Sequence, residues 1–354
     1  MFVTGAGQPN ALQPTMLPDD KPRKSMAKLS VLDLSPINEG QTAGDALANS
    51  LSLAQHAEAL GYHRYWVAEH HNLPGIASAA TAVVIGHIAG GPRHIRVGAG
   101  GIMLPNHAPI MVAEQFGTLE ALFPGRIDLG LGRAPGTDGV TAQALRRTLN
   151  SDPNKFPQDV LELREYLKDA QPNARVRAVP GEGSHVPLYI LGSSLFGAQL
   201  AAILGLPFAF ASHFAPAAMM QALQIYRSEF EPSENLDAPY AILGYNICAA
   251  DTEAEARYLR TSGLQAFLNL RFGNPGKLPP PVEDFDNTLT AQQQQVMAQI
   301  SSAASVGTAD QVRQDVEGFL QQTQADELII TSQIYDHAAR LRSYEIAKQA
   351  CCGL

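Results

Sequence analysis

Eight short apolar runs, separated by segments of helical periodicity, recur from Lys28 towards the C-terminus, and this alternation limits the fold more than any other feature of the sequence. The runs are Leu29–Leu34, Arg64–Ala68, Ile95–Gly101, Ile127–Gly132, Pro187–Leu191, Phe208–Ser212, Ala241–Ala249 and Glu327–Thr331. Short, largely apolar segments of this kind suit strands buried on both faces, and parallel strands need a crossover helix between them. Helices fit at Ala46–Leu60, where Leu47, Leu51, Ala54 and Ala57 share one face and Gly61 ends the run, and at Ile110–Phe123, which stops at Pro124-Gly125. Further helical segments read at Pro157–Leu167, Leu195–Leu204, Pro216–Phe230, Thr252–Leu270, Ala309–Gln322 and His337–Ala350. The expected architecture is α/β, a (β/α)8 TIM barrel forming one domain over residues 28–354. An open doubly wound sheet usually carries Gly-x-Gly-x-x-Gly after its first strand. Here that strand runs into Ser35-Pro36-Ile37-Asn38-Glu39-Gly40, and the nearest glycine cluster, Gly98, Gly100 and Gly101, follows the third strand with different spacing.

Two insertions interrupt the pattern, after the fourth and seventh strands. Thr137–Pro157 separates the fourth strand from its helix, and Arg271–Asn287 is a Pro/Gly-rich acidic stretch before a helical segment at Ala291–Ala304. Loops of this length act as lids or are simply mobile, and both readings stand at this point. Met1–Ala27 reads as a flexible extension: it lacks the apolar core of a secretory signal, and Asp19 and Asp20 do not suit a transit peptide. With 25 Lys and Arg against 34 Asp and Glu, the formal charge is −9. No cationic cluster matches a phosphate backbone, so no nucleic-acid partner is expected. No window approaches the roughly 18 apolar residues of a membrane span. Cys248, Cys351 and Cys352 form neither a disulfide framework nor a zinc spacing and fit a reducing, cytoplasmic setting.

Barrel chemistry gathers at the C-terminal ends of the strands. The second strand ends Glu69-His70-His71, and alternation sends Glu69 and His71 one way and His70 the other. Adjacent residues therefore do not converge on one metal ion, and no metal is expected, although a Glu, His, His set has the right donors. A histidine at the mouth also suits general acid–base work, or simple bonding to neighbouring loops. The third strand ends Ala99-Gly100-Gly101; paired glycines mark either a tight corner or a ligand lying against bare backbone. The fourth ends Gly130-Leu131-Gly132-Arg133-Ala134-Pro135-Gly136, offering one guanidinium fork among small residues for a phosphate, a carboxylate or a structural ion pair. The fifth ends Gly192-Ser193-Ser194 and enters a helix at Leu195, so its amides favour an anion while Ser194 serves equally as a cap. Gly-x-Ser-x-Gly is absent, which argues against a serine hydrolase.

In order and spacing, Trp66–His71, Val97–Pro105, Glu114-Gln115, Pro124-Gly125-Arg126, Gly130–Gly136, Gly192-Ser193-Ser194 with Gly205-Leu206-Pro207, and Ala325–Tyr344 resemble the bacterial luciferase-like flavin monooxygenases, in their single-subunit, non-luminescent branch. The resemblance implies a barrel holding reduced FMN, which reacts with O2 to a flavin hydroperoxide that oxygenates a small organic substrate. It implies a cis peptide at Gly100-Gly101 behind the flavin ring, phosphate binding by Arg133 with Gly192, Ser193 and Ser194, and a catalytic role for His70 beside the flavin. Gly197 departs from the luciferase pattern, which has a hydroxyl side chain near the phosphate there, and the Arg271–Asn287 loop, which stands where luciferase has its mobile lid, does not match it. A homodimer with contacts around Glu114 is expected by the same resemblance, as is a separate flavin reductase, since no nicotinamide fingerprint is present. Three alternatives remain: an F420-dependent dehydrogenase of the same barrel family, a non-catalytic flavin-binding protein, and a metal-dependent barrel hydrolase.

Overall fold

The computed structural model describes residues 26–134, 136, 139–145, 153–171 and 173–354. Nine strands lie in one parallel sheet: β1 (Lys28–Asp33), β2 (Arg64–Val67), β3 (Arg96–Met103), β4 (Ile127–Gly132), β5 (Leu188–Gly192), β6 (Phe208–Phe210), β7 (Ala241–Ala249), β8 (Ala304–Gly307) and β9 (Glu327–Thr331). Eight of them close the expected barrel, in the order β1-β2-β3-β4-β5-β6-β7-β9 and back to β1. The helices are α1 (Ala43–Ala59), α2 (Thr81–Ala89), α3 (Pro109–Leu122), α4 (Gly139–Leu145), α5 (Phe156–Leu167), α6 (Leu195–Leu204), α7 (Met219–Ser228), α8 (Glu253–Arg271), α9 (Ala291–Ile300), α10 (Ala309–Thr323) and α11 (His337–Ala350).

Three elements correct the sequence expectation. α2 fills the second crossover, where no helix is expected from the pattern: its run TAVVIGHIA is almost continuously apolar and its N-cap, Ala80, makes no side-chain bond, so neither period nor cap announces it. The expected helix at Ala291–Ala304 ends at Ile300, and Ala304 instead opens β8. β8 is an added strand: the first part of β7 pairs with β6 and β9, and its last four residues, Asn246–Ala249, pair with β8. The flexible reading of Met1–Ala27 falls, up to residue 25, outside the described residues, as do 137–138 and 146–152 of the first insertion and Pro135.

Alternation along the strands divides the buried side chains into two sets. Val31, Tyr65, Val67, Val97, Leu129 and Ile330 face outward and pack beneath the helices in one large apolar shell. Leu32, Trp66, Tyr189, Ala209, Ile242 and Ile329 face inward. Below them the barrel is plugged by charge. Arg64 donates to both oxygens of Glu327 (2.8 and 3.1 Å), to Asp128 (2.8 Å) and to the Tyr189 hydroxyl (2.7 Å). Trp66 Nε1 and Arg96 also donate to Asp128, and Ser30 and Tyr240 donate to Glu327. Every charged group in this floor is paired, which is the condition under which burial of ions is tolerated. Above Trp66 several inward positions are small, Ala68, Gly100, Gly132 and Ala211 among them, and the space they leave is the candidate site.

Candidate active site

A cavity of about 780 Å³ opens at the C-terminal ends of the strands, within the size range of small-molecule and cofactor sites. His70, Gly100, Arg133, Gly192, Ser193 and Ser194 all line it. The Gly100–Gly101 peptide is cis, at the position the resemblance indicates. Of the pair, Gly100 faces the cavity, where an added Cβ would lie 2.9 Å from Trp66 Cε3 and 3.1 Å from Leu32 Cδ1. Gly101 faces β4: a Cβ there would lie 2.6 Å from the carbonyl oxygen of Gly130, so this glycine permits the close approach of β3 and β4 at a register shift between Ala99 and Ile102.

The expected parity at the end of β2 holds. Glu69 turns into the wall and is fully engaged: it accepts from His71 Nε2 (2.8 Å), His107 Nε2 (3.0 Å), the Met103 amide (2.9 Å) and Asn106 Nδ2 (3.2 Å). Burial would raise its carboxyl, but the His107 and His71 contacts and the Met103 N–H outweigh it and hold Glu69 below the usual value. His70 points the other way, into the cavity, with its Nδ1 buried and unpartnered. Burial, against the opposing pull of Glu69 and a backbone hydrogen bond at Ala68, lowers its pKa and favours the neutral ring.

A second histidine, His213 beyond β6, repeats this arrangement. It lines the same cavity, its Nδ1 is likewise unpartnered, and burial together with the neighbouring His70 imidazole lowers it to about 4. No motif marks His213 in the sequence; its setting is made by Gly244 of β7, where any Cβ would collide with the imidazole.

At the end of β4, Arg133 lies over the Phe196 ring, its Cζ 4.3 Å from the centroid. Phe196 is in the first turn of α6, so the guanidinium sits beside a helix N-terminus. Ser194 is the N-cap with extended backbone (φ −142, ψ 173), but its side chain makes no capping bond. The first amides of α6 are therefore available to an anion rather than consumed by the cap. A Cβ on Gly197 would stand 3.3 Å from the Phe208 ring and 3.4 Å from Gly192 Cα, so α6 packs tightly onto β5 and leaves little room for the hydroxyl side chain that luciferase carries. The second insertion closes one side of the cavity with Pro275, Gly276 and Leu278. It is pinned to the loop after β1 by Leu278 N–H to Ile37 O and Glu39 N–H to Leu278 O (2.9 Å each), and by Lys277 Nζ to Gln41 O.

The sequence model of luciferase-like monooxygenases matches residues 27–327. The chain belongs to the luciferase-like monooxygenase family. A luciferase-like monooxygenase of Escherichia coli (strain K12) is 53% identical over 318 residues, covering 90% of this chain and 95% of that protein. The N-acetyl-S-alkylcysteine monooxygenase of Bacillus subtilis (strain 168) is 43% identical over 190 residues, 52% of this chain and 57% of that protein. Among solved structures, apo-MsnO8 is 33% identical with a TM-score of 0.81, covering 92% of this chain and 98% of that one. The fold is shared more widely, at 14% identity with a type II Baeyer-Villiger monooxygenase of Pseudomonas putida in complex with FMN (TM-score 0.66, 92% and 98% covered). It is shared at 15% with an F420-dependent secondary alcohol dehydrogenase (TM-score 0.62, 92% and 99% covered). Among the described residues no cluster of His, Cys, Asp or Glu is arranged to hold a metal, and no helix is long and apolar enough to cross a membrane.

Proposed function

We propose that this family member is a monooxygenase that uses reduced FMN and O2 to oxygenate a small organic substrate. The observation that carries the reading is Arg133: a guanidinium with no hydrogen-bond or ion-pair partner among the described residues, stacked on Phe196 beside the uncapped amides of α6, on the lip of a cavity with a glycine wall. When bound, FMN supplies the two electrons that split O2 between product and water. Arg133 and the backbone amides after Gly192 hold its phosphate, the first by a planar fork and the second by the positive end of the helix. Gly100 leaves a surface free of side chains, under which Trp66 supports the flat ring. His70, whose ring lines the cavity, holds or delivers a proton to the reacting atoms. The apolar wall of Leu32, Leu34, Leu191 and Phe267 excludes water from the reacting atoms.

The test mixes the purified protein with FMN and with F420, then measures O2 uptake when a separate reductase supplies reduced FMN. Saturable FMN binding with substrate-dependent O2 uptake is expected, His70→Ala lowering turnover by about 10²-fold or more with binding intact. Tight F420 binding with no O2 uptake in the presence of reduced FMN overturns the reading, FMN binding without substrate-dependent O2 uptake reduces the protein to a flavin carrier, and an unchanged rate in His70→Ala removes His70 from the chemistry. The same reading includes a homodimer built on α3, which exposes Met111 and Leu122; light scattering that returns a monomer removes that part alone.

A further inference from the structure

A protein of net charge −9 encloses a cavity whose wall, among the described residues, contains two arginines and no Asp or Glu. One is Arg133. The other, Arg260, stands elsewhere in the barrel: it belongs to α8, which packs against β7 and β8, whereas Arg133 ends β4. Between β4 and β7 in the closed barrel lie β5 and β6, so a single phosphate held at the α6 N-terminus leaves Arg260 unanswered.

Arg260 reaches the cavity because of its helix position. Arg260, Gly263, Leu264 and Phe267 all line the space, and their i, i+3, i+4, i+7 spacing places them on one face of α8. Gly263 lets that face approach closely, since a Cβ there would meet the Gln333 backbone oxygen at 3.0 Å. The opposite treatment is seen one turn earlier, where Arg257 pairs with Glu253 on the exposed side of the same helix. Among the described residues Arg260 makes no hydrogen bond and no ion pair. The nearest influences on it are the buried Cys248 thiol and the exposed Asp286 carboxylate, neither within bonding distance, and burial lowers its pKa without removing its charge. The same wall carries the apolar Leu264, Phe267, Ile300 and Val306 beside the polar Asn246, Ser305 and Gln333. A half-buried guanidinium with no counter-ion is costly unless a ligand completes it.

We infer that Arg260 anchors a carboxylate of the substrate, so that the reaction acts on an organic acid whose apolar body fills the space between α8 and the glycine wall. This rests on the proposed function for the word substrate, but the binding it describes does not require the cofactor.

The test is calorimetric and uses octanoate, phenylbutyrate and N-acetyl-S-benzylcysteine, each beside its methyl ester, with wild type, Arg260→Gln, Arg260→Lys and Arg133→Gln. Wild type should bind at least one acid about tenfold or more tightly than its ester. Arg260→Gln should erase that preference while leaving FMN affinity within about twofold, and Arg260→Lys should restore part of it. Arg133→Gln should do the reverse, losing FMN and keeping the acid. Absence of acid preference in wild type across the series overturns the inference, as does preference that survives Arg260→Gln, or a loss of FMN in that variant. If wild type fails to bind FMN yet prefers acids through Arg260, the proposed function falls and this inference stands.

Discussion

Arg64 and Arg340 are buried and paired, whereas Arg133 and Arg260 border the cavity with no counter-ion among the described residues. Arg64 is shared between Glu327 and Asp128 in the floor. Arg340, on α11, donates to Asp33 at 2.7 Å and to the Ser332 carbonyl at 2.8 Å, and Asp33 also accepts from Ser50, Tyr65 and the Ser35 amide. The same side chain is thus used in two ways. Where its partners come from the chain, it fixes neighbouring strands and helices; where they are missing, it is poised for something the chain does not contain. The histidines divide similarly, His71 and His107 being bound to Glu69 while His70 and His213 keep a free nitrogen.

The largest effect expected from this contrast is on stability. Arg340→Met leaves Asp33 buried without its cation and should cost about 3–5 kcal/mol in urea unfolding. Arg133→Met removes an exposed, unpaired group and should stay within about 0.5 kcal/mol. Adding Asp33→Asn to Arg340→Met should recover part of the loss. Equal costs for the two arginines would break the comparison.

Acid should separate the same groups by pH. His63 and His213 are held neutral, each lowered from 6.5 to about 4, the first by burial and Arg64 and the second by burial and His70. Their unfolded forms bind protons first, so stability falls as pH drops from 6.5 towards 4. Asp33 behaves differently: burial would raise its carboxyl, but Arg340, Ser50 and Tyr65 outweigh it and its pKa lies below 3.8. Its contribution is present above that ordinary value and is lost as pH falls through the depressed one. His213→Gln should flatten the upper part of a stability–pH curve and leave the lower part unchanged; a uniform shift of the whole curve would contradict the assignment.

What the sequence made legible is what local pattern encodes. The barrel follows from strand and helix alternation, and the two-residue period separates His70 from Glu69 and His71, but that His70 is the one facing the cavity followed only from resemblance. The Gly100–Gly101 cis peptide followed only from resemblance. α2 escaped notice because its exposed face carries the apolar Val83, so its sequence has no amphipathic period, and β8 because ASVG is too short to read as a strand. His213 and Arg260 were illegible for another reason: their importance lies in the partners they lack, which depends on Gly244 and Gly263 and on elements far away in sequence.

The paired glycines give a smaller and more local contrast. In Gly101→Ala the new methyl meets the Gly130 backbone, which has nowhere to go, and about 1–3 kcal/mol of stability should be lost. In Gly100→Ala it meets side chains of Trp66 and Leu32 on the cavity side, so the stability loss should be smaller and the change should appear in Trp66 fluorescence. Trp66 is the single tryptophan, which makes that signal unambiguous. A larger stability loss in Gly100→Ala would reverse the roles assigned to the two faces.

The smallest effect tests whether the α6 N-terminus is held open. At α1, Thr42 Oγ1 accepts from the Asp45 amide at 3.2 Å while Asp45 accepts from the Thr42 amide at 2.8 Å, a complete capping box. Thr42→Ala should therefore cost about 1 kcal/mol. Ser194 makes no such bond, and Ser194→Ala should cost a few tenths of a kcal/mol at most in the protein without FMN. If Ser194→Ala costs as much as Thr42→Ala, the hydroxyl caps the helix in solution and its amides are not free for a phosphate. If instead the variant is neutral without ligand but weakens FMN binding, the hydroxyl reaches the phosphate itself, and the open helix end and Arg133 act on one anion.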